Sequence, residues 1–337
     1  MALEVELDKK NLEFTDDKGK KVKVEVDTDL TDKEEEAFES DHHSNLAEEL
    51  TDQEVNSVGR DLVKAYQDDR SSRKDWEDQY SKGLKMLGVV VEDRQDPFPG
   101  ASGVHHPLMA EAATQFQARA IAELFPSGGP VKTQVIGKSS NKKIEQAQRV
   151  QDFMNWQVTN QIKDYFNELD QLLFYLSLAG SAFKKIYFDN SLDRICSVFV
   201  PAEDFVISYD NTDLETSERY TQVMKLSRNE IKRRQIEGFY KDVPLSKTET
   251  TSNQGGTVEQ TMERLQGMTP SMSDKIHTIL EIHANLDLGE DENGLALPYI
   301  VTVDQDSTVV LAIRRNWKED DPLKRKRTYF IHYKYLP

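Results

Sequence analysis

The chain has 337 residues, of which 37% are hydrophobic and 31% are charged, and its formal net charge is −17. This charge argues against a surface that wraps nucleic acid, because such a surface needs surplus lysine and arginine to neutralise phosphates. The single cysteine, Cys196, excludes an internal disulfide and a zinc module built from several cysteines. We expect no membrane partner, because no stretch is apolar enough to cross a bilayer and the N-terminus lacks the apolar core of a signal peptide.

The first fifty residues are dominated by aspartate, glutamate and lysine, which predicts a disordered acidic tail over 1–50. Ordered structure is predicted to begin at Thr51, since Thr51 and Glu54 have the spacing of a capping box before an apolar periodic run. Two helices are predicted from there, with a break near 68–75 and an end at Gly88.

Residues 96–109 read DPFPGASGVHHPLM and precede the next predicted helix. A phosphate-binding loop would need a lysine and the spacing G-x-x-x-x-G-K-[ST], which this segment lacks. A nucleophile elbow around Ser102 would need a second spacer residue and a preceding strand. We therefore interpret the loop as architectural: its prolines and glycines fix a tight start to the helix and permit close approach of another backbone. The residues concerned are Pro97, Pro99, Gly100, Gly103 and Pro107.

The histidine pair in this loop leaves one catalytic alternative open, a metal-dependent hydrolase that acts through His105 and His106. Adjacent side chains diverge at the start of a helix, so the site would need distant carboxylates such as Glu111 or Glu123 to converge on them. The remaining histidines lack ligand spacing, although two are an even number apart and could share one strand face. These two are His277 and His283.

Three further helices are predicted from the periodicity of apolar residues: from Pro107 to Leu124, over 141–162 and over 164–179. Gly180 has the position of a C-terminal cap for the third. In the second helix, four residues are predicted to face inward. They are Ile144, Ala147, Met154 and Val158.

From Ala182 the pattern changes to short β-prone segments, which predict three strands before residue 208. Ser227 as N-cap and Gly238 beyond the end predict one more helix. Residues 242–273 have the composition of a linker, and four strands in meander order follow. The fold class is therefore α+β, with a helical block followed by β-rich segments.

The predicted organisation has four parts. They are an acidic tail at 1–50, an α+β domain at 51–226, a helix and flexible linker at 227–275, and a β-rich region at 276–337. A strand reaches the last residue without a closing element, so we expect the natural polypeptide to continue.

Two basic clusters stand out in this acidic chain as candidate contacts with a partner or with the DNA backbone. A solvated helix face or turn is the simpler explanation of each of them. The first consists of Lys232, Arg233 and Arg234, and the second of Lys324, Arg325, Lys326 and Arg327.

Three long stretches resemble portal proteins of tailed bacteriophages, in the branch typical of short-tailed and related marine phages. They are PFPGASGVHHPLMAEAATQFQARAIAELFPSGGPVK, VPAEDFVISYDNTDLETSERYTQVMKLSRNEIKRRQIEGFY and PYIVTVDQDSTVVLAIRRNWKEDDPLKRKRTYFIHYKYLP. The resemblance covers about residues 50–337. It lies in these long stretches and not in a short catalytic motif.

The resemblance implies a noncatalytic structural protein without a cofactor. Portal subunits form a closed ring, usually of twelve copies, at one capsid vertex, through which double-stranded DNA is packaged and ejected. The implied partners are the terminase large subunit, a neck or tail adaptor, and capsid and scaffolding proteins. The implied location is the portal vertex of the virion, after assembly in the host cytoplasm.

By this resemblance, residues 51–226 correspond to the outer wing, 227–275 lead toward the stem, and 276–337 contribute to the clip or to a region near the stem. Family members continue into a channel-lining helix and a helical crown, which these 337 residues lack. A head-to-tail adaptor of a virion is a related alternative.

Overall fold

The computed structural model describes residues 41–87, 98–100, 106–189, 192–211, 213–245, 276–290 and 294–335, and the backbone pairing of two short strands nearer the N-terminus. The helices are α1 (Leu46–Glu49), α2 (Asp52–Ser72), α3 (Lys74–Lys85), α4 (Leu108–Leu124), α5 (Asn141–Trp156), α6 (Tyr165–Ala179) and α7 (Arg228–Ile236), with a π-helical segment, Gln157–Gln161, directly after α5. The strands are β1 (Leu12–Thr15), β2 (Lys21–Val24), β3 (Ser181–Asp189), β4 (Arg194–Val200), β5 (Phe205–Ile207), β6 (Arg219–Ser227), β7 (Ile276–Leu286), β8 (Leu297–Asp304), β9 (Val310–Arg315) and β10 (Phe330–Lys334). The fold class is α+β, which confirms the prediction.

A five-stranded antiparallel sheet has the strand order β5-β6-β7-β8-β9. Because side chains alternate along a strand, each strand contributes to two faces. One face packs against α1 and α2, where Tyr66, Leu280 and Val301 belong to one buried cluster. The opposite face packs against α7 through Ile231 and Ile279. The sheet therefore has apolar cover on both sides.

A second antiparallel sheet has three strands in the order β10-β3-β4. Helix α6 covers it with Leu172 and Leu173, and α4 packs on α6. The two sheets meet in an aromatic cluster, where the Phe205 ring lies 4.0 Å from the Phe183 ring and 4.9 Å from the Phe330 ring, measured between centroids. This cluster joins the helical block to the central sheet.

The ends of several helices agree with the sequence prediction. Thr51 and Glu54 form the capping box at the start of α2, and a break at Arg73 separates α2 from α3. Ser227 Oγ accepts a hydrogen bond from the Glu230 amide at the start of α7. Gly180 ends α6 with φ 77°, a left-handed conformation that favours glycine.

The prediction that order begins at Thr51 is wrong for residues 41–50. Leu46 and Ala47 are buried in the cluster beneath α2. Asn45 donates from Nδ2 to the Leu311 carbonyl (3.2 Å), and its Oδ1 accepts from the Ile313 amide (2.9 Å). These bonds satisfy the exposed edge of β9, a contact that the acidic composition of the segment does not reveal. The pairing of β1 with β2 also lies within the predicted tail.

The predicted boundary between 51–226 and 276–337 does not coincide with a boundary between the sheets. Strand β6 pairs with β7 over nine residues, so the two regions share one sheet. Strands β7, β8 and β9 follow meander order as predicted, but β10 leaves the meander and pairs with β3. Burial of Phe330 against Phe205 is the physical reason, since apolar contact outweighs proximity along the chain. The linker predicted at 242–273 falls mostly outside the described residues.

Gly59 provides a test of the packing between α2 and the turn before β9. A Cβ atom there would lie 2.5 Å from the Thr308 carbonyl oxygen and 2.9 Å from Val310 Cγ2. Gly59→Ala is therefore expected to lower the free energy of unfolding by about 1–3 kcal/mol, despite the better helix propensity of alanine. Urea unfolding monitored by circular dichroism measures this.

The matched control is Gly83→Ala in α3, where an added Cβ meets no heavy atom of the described structure within 4 Å. This change is expected to raise stability by about 0.5–1 kcal/mol, because alanine loses less backbone entropy in a helix. Equal effects at the two positions would contradict the close approach at Gly59.

Candidate functional site

The loop singled out in the sequence is described at Phe98, Pro99 and Gly100 and again from His106. Gly100 has φ 84°, so its backbone conformation favours glycine. A Cβ there would meet no heavy atom within 4 Å among the described residues. This backbone conformation agrees with the architectural role predicted for Gly100, and the predicted close approach of another backbone stays a prediction.

The remaining loop residues have mixed outcomes. Pro107 is the N-cap residue of α4, so the helix begins at Leu108, one position after the predicted start. Pro97 and Gly103, together with His105, lie outside the described residues.

The carboxylates proposed as metal ligands do not converge. Glu111 and Glu123 are exposed residues of one helix, α4, and twelve positions apart. At 1.5 Å per residue their backbones are about 18 Å apart, so they cannot both reach an ion held by His106. Over the described ranges, no three His, Cys, Asp or Glu side chains are grouped as metal ligands.

Two other histidines are buried partners of carboxylates on β7 and β8. His277 Nδ1 lies 3.5 Å from Asp304 Oδ1. His283 Nε2 lies 3.0 Å from Glu281 Oε1. The two histidines are six positions apart on one strand, hence separated by about 20 Å. They share a face, as the sequence suggested, but they belong to separate contacts.

Each cation of the first basic cluster, on α7, has an acidic partner in this chain. The pairs are Lys232 with Asp242 (2.8 Å), Arg233 with Glu237 (3.3 Å) and Arg234 with Glu230 (2.8 Å). Arg234 also donates to the Tyr240 hydroxyl at 2.9 Å. Contact of these three residues with another molecule stays a prediction. The acidic side chains beside them largely neutralise their charge.

The second basic cluster precedes β10 and is also engaged within the subunit. Lys326 Nζ donates to the Ser217 carbonyl at 3.0 Å, and burial lowers its pKa against the opposing charge of Glu215. The other contacts are Lys324 Nζ to the Glu290 carbonyl (3.3 Å), Arg325 to Asp321 (2.9 Å) and the Arg327 guanidinium to the Tyr329 ring (5.4 Å). These residues shape the turn before β10, and their contact with DNA stays a prediction.

A groove of about 880 Å³ is lined by β3, α7 and the polar side chains of the five-stranded sheet. Among its lining residues, Lys185 Nζ lies 2.6 Å from Glu281 Oε1 and 2.9 Å from Gln222 Oε1. The same Glu281 oxygen contacts His283, whose ring stacks on Tyr220 at 4.7 Å. This charged array links β3 of the smaller sheet to β6 and β7 of the larger one. The array was not predicted from the sequence, although the charged residue Glu281 inside the apolar strand ILEIHA was a usable signal.

The electrostatics of this array are those of a buried ion pair. Burial opposes ionisation of Glu281, but the charge of Lys185 and the hydrogen bond from His283 outweigh it and lower the pKa to about 2. Burial lowers the pKa of His283 as well, against the opposing influence of Glu281. An ionised carboxylate only accepts, so neutral His283 donates from Nε2 and its Nδ1 stays unprotonated. That Nδ1 is buried and has no hydrogen-bond partner among the described residues.

The clearest surface feature is helix α5, which has no buried residue along its 16 positions. Phe153 is 58% exposed and Trp156 is 51% exposed. The prediction that Ile144 and Met154 face inward is wrong, since both are exposed. Ala147 and Val158 are half-buried. An apolar helix surface of this kind indicates an interaction site.

Polar side chains hold α5 to its own chain. Asn155 exchanges two hydrogen bonds with the backbone of Val131, at 2.9 and 3.1 Å. Gln151 Oε1 accepts from the Thr133 amide, and Thr133 Oγ1 donates to the Ala147 carbonyl. The helix therefore turns a polar stripe toward the subunit and aromatic residues away from it, the reverse of an ordinary surface helix.

No protein-family model matches the chain, and no curated protein matches it either. In the described part of the chain, the helices are too short or too polar to cross a bilayer.

Proposed function

We propose that this chain is a structural subunit of a phage portal, which assembles into a ring at the capsid vertex for DNA packaging and ejection. The support is the resemblance of three long stretches, together with the unusual surface of α5. In this proposal the chain carries out no bond-breaking chemistry. ATP hydrolysis for packaging belongs to the terminase that docks on the ring.

The observation that carries the proposal is the exposed aromatic surface of α5. A single subunit leaves Phe153 and Trp156 largely in water, although burying apolar area contributes about 25 cal/mol per Å². A partner that covers this helix recovers that free energy. A ring subunit has such a partner at every boundary, because a heterologous interface joins one face to a different face of the next copy.

The charge of the chain suits a DNA conduit. With a net charge of −17, each chain carries no surplus of cations to neutralise phosphates, so the ring does not retain passing duplex. Repulsion acts over about a Debye length, roughly 8 Å at physiological salt. An acidic bore therefore guides DNA without holding it.

The test is imaging of the purified chain by negative-stain electron microscopy, with its mass measured by light scattering. We expect rings with an axial hole at concentrations where self-association is saturated. A chain that stays monomeric under every salt and concentration tried would contradict the proposal.

A metal measurement on the same preparation separates the hydrolase alternative. The hydrolase alternative would replace the portal proposal if the chain binds one equivalent of metal and hydrolyses a phosphoester, and if His106→Ala loses that metal. Discrete assemblies without an axial hole would favour the adaptor alternative.

A further inference from the structure

We infer that the exposed face of α5 on one copy docks against the acidic segment 208–218 of a second copy. This inference rests on the proposed function, because it names the surfaces that join neighbouring subunits. Both surfaces are exposed in the single subunit, and they differ in charge.

The exposed face of α5 combines the cations Lys142 and Arg149 with aromatic rings, and one exposed carboxylate, Glu145, lies between these two cations. Lys142, Arg149, Phe153 and Trp156 are spaced by seven, four and three residues, which places all four on one side of a helix. All four are exposed. The Phe153 and Trp156 rings lie 5.9 Å apart and form one apolar patch next to the cationic half of the face.

The side-chain charge in the first turn of α5 is positive, which is unfavourable for an isolated helix. Lys142 and Lys143 occupy the first turn, where the helix dipole already contributes positive charge, and that turn contains no acidic residue. Among the described residues, neither lysine nor Arg149 forms an ion pair. An acidic partner would therefore relieve an unfavourable local arrangement.

The acidic segment has complementary properties. Between β5 and β6, four carboxylates are exposed and the segment contains no lysine or arginine. They are Asp210, Asp213, Glu215 and Glu218. None of the four forms an ion pair with a described residue. Tyr209, 68% exposed, adds an aromatic ring that suits the apolar half of the α5 face.

The acidic segment is held in place before any partner binds. The Tyr209 amide donates to Ser72 Oγ at 3.2 Å, and Leu214 is buried in the aromatic cluster between the sheets. Ser217 accepts from Lys326 through its carbonyl. Binding to such a fixed surface costs less conformational entropy than ordering a loose loop.

The two surfaces are held by different elements of the subunit. Helix α5 is tied to Val131 and Thr133, whereas the acidic segment is tied to the end of α2 and to the turn before β10. A heterologous interface requires two different faces that complement each other, and opposite charge is one form of that complementarity. Like patches repel each other, so the charge pattern also disfavours a symmetric dimer through α5.

The experiment is a charge exchange measured by sedimentation velocity. Lys142→Glu with Arg149→Glu, and separately Asp210→Lys with Glu215→Lys, are each expected to weaken self-association at least tenfold. An equimolar mixture of the two variants is expected to assemble, because each boundary then pairs opposite charges again. The chain that carries all four substitutions is expected to assemble on its own for the same reason.

Lys64→Glu with Lys85→Glu is a control for the variant Lys142→Glu with Arg149→Glu, because it changes the net charge by the same amount at exposed positions of α2 and α3. It is expected to assemble like the unchanged chain. All variants are expected to keep their circular dichroism spectrum, since the substituted side chains are exposed.

The outcomes separate the inference from the proposed function. Rings that form normally in both charge variants would leave the portal proposal intact and overturn this interface. Weakened assembly that the mixture does not restore would also overturn it. Binding of duplex DNA that is lost with Lys142 and Arg149, without any effect of Asp210 and Glu215, would assign the α5 face to nucleic acid instead. A chain that never self-associates would overturn both proposals.

Discussion

Replacing Glu281 by alanine is expected to lower the free energy of unfolding by about 3–5 kcal/mol, because it leaves Lys185 as a buried charge without its carboxylate. Lys185 Nζ lies 2.6 Å from Glu281 Oε1, and its side chain is 14% exposed. His283 loses the acceptor for its Nε2 proton in the same step. Chemical unfolding of the variant measures the loss.

A matched control for Glu281→Ala is Glu237→Ala. Glu237 pairs with Arg233 at 3.3 Å, but the two side chains are 46% and 73% exposed. Exposed pairs contribute about 0–1 kcal/mol, so the control is expected to lose little stability. Similar losses in the two variants would show that the array between the sheets is not a buried ion pair.

The array also predicts how stability depends on pH. The folded pKa of Glu281, about 2, is below the ordinary glutamate value of 4.5, so its contribution is complete above pH 4.5 and is lost as pH falls toward 2. His283 has a folded pKa below 6.5, so its contribution declines as pH falls through 6.5. Both groups therefore predict acid destabilisation. In the His283→Gln variant, the decrease in the free energy of unfolding that begins near pH 6.5 is expected to be smaller.

Replacing Arg73 by methionine is expected to lower the free energy of unfolding by about 3–5 kcal/mol. The buried guanidinium donates to the carbonyls of Ala202, Glu203 and Phe205 at 2.9, 2.6 and 2.8 Å. It also pairs with Glu77 at 3.0 Å. Removing one partner of a buried, hydrogen-bonded ion pair costs about 3–5 kcal/mol, and the apolar stem of methionine replaces part of the packing.

Two controls identify the cause. Arg60→Met on α2 removes one exposed hydrogen bond, from Nε to the Asn56 carbonyl at 3.1 Å, and is expected to cost less than about 1 kcal/mol. Arg73→Lys keeps the charge but cannot present a planar fork to three carbonyls, so it is expected to recover only a small part of the loss. Arg73 joins the break between α2 and α3 to the carbonyls around the start of β5. Full recovery by lysine would mean that charge alone, and not the planar geometry of the guanidinium, stabilises this contact.

The local elements were predictable where short-range chemistry fixes them. Thr51 and Glu54 satisfy two backbone amides at the start of α2, and Gly180 accepts the left-handed conformation that ends α6. Ser227 caps α7 in the same way. Such signals act over a few residues, and the sequence displays them directly.

Helix α5 shows why burial was harder to predict. Its apolar residues occur at helical spacing, which favours an inward face, yet Ile144 and Met154 are exposed. The helix is held through Gln151 and Asn155 by the segment at 131–133. Periodicity predicts that a helix has an apolar face but does not identify what covers it, and the proposed cover belongs to another copy.

The sequence by itself determined the class of the fold, most helix boundaries and the charge that any function must accommodate, because these depend on neighbouring residues or on composition. Only the tertiary structure decided that Asn45 closes the edge of β9, that β10 pairs with β3, and that Lys185 meets Glu281. These contacts join residues about a hundred or more positions apart. Their choice depends on which side chains fit and satisfy one another once the chain is compact, and no local pattern encodes that fit.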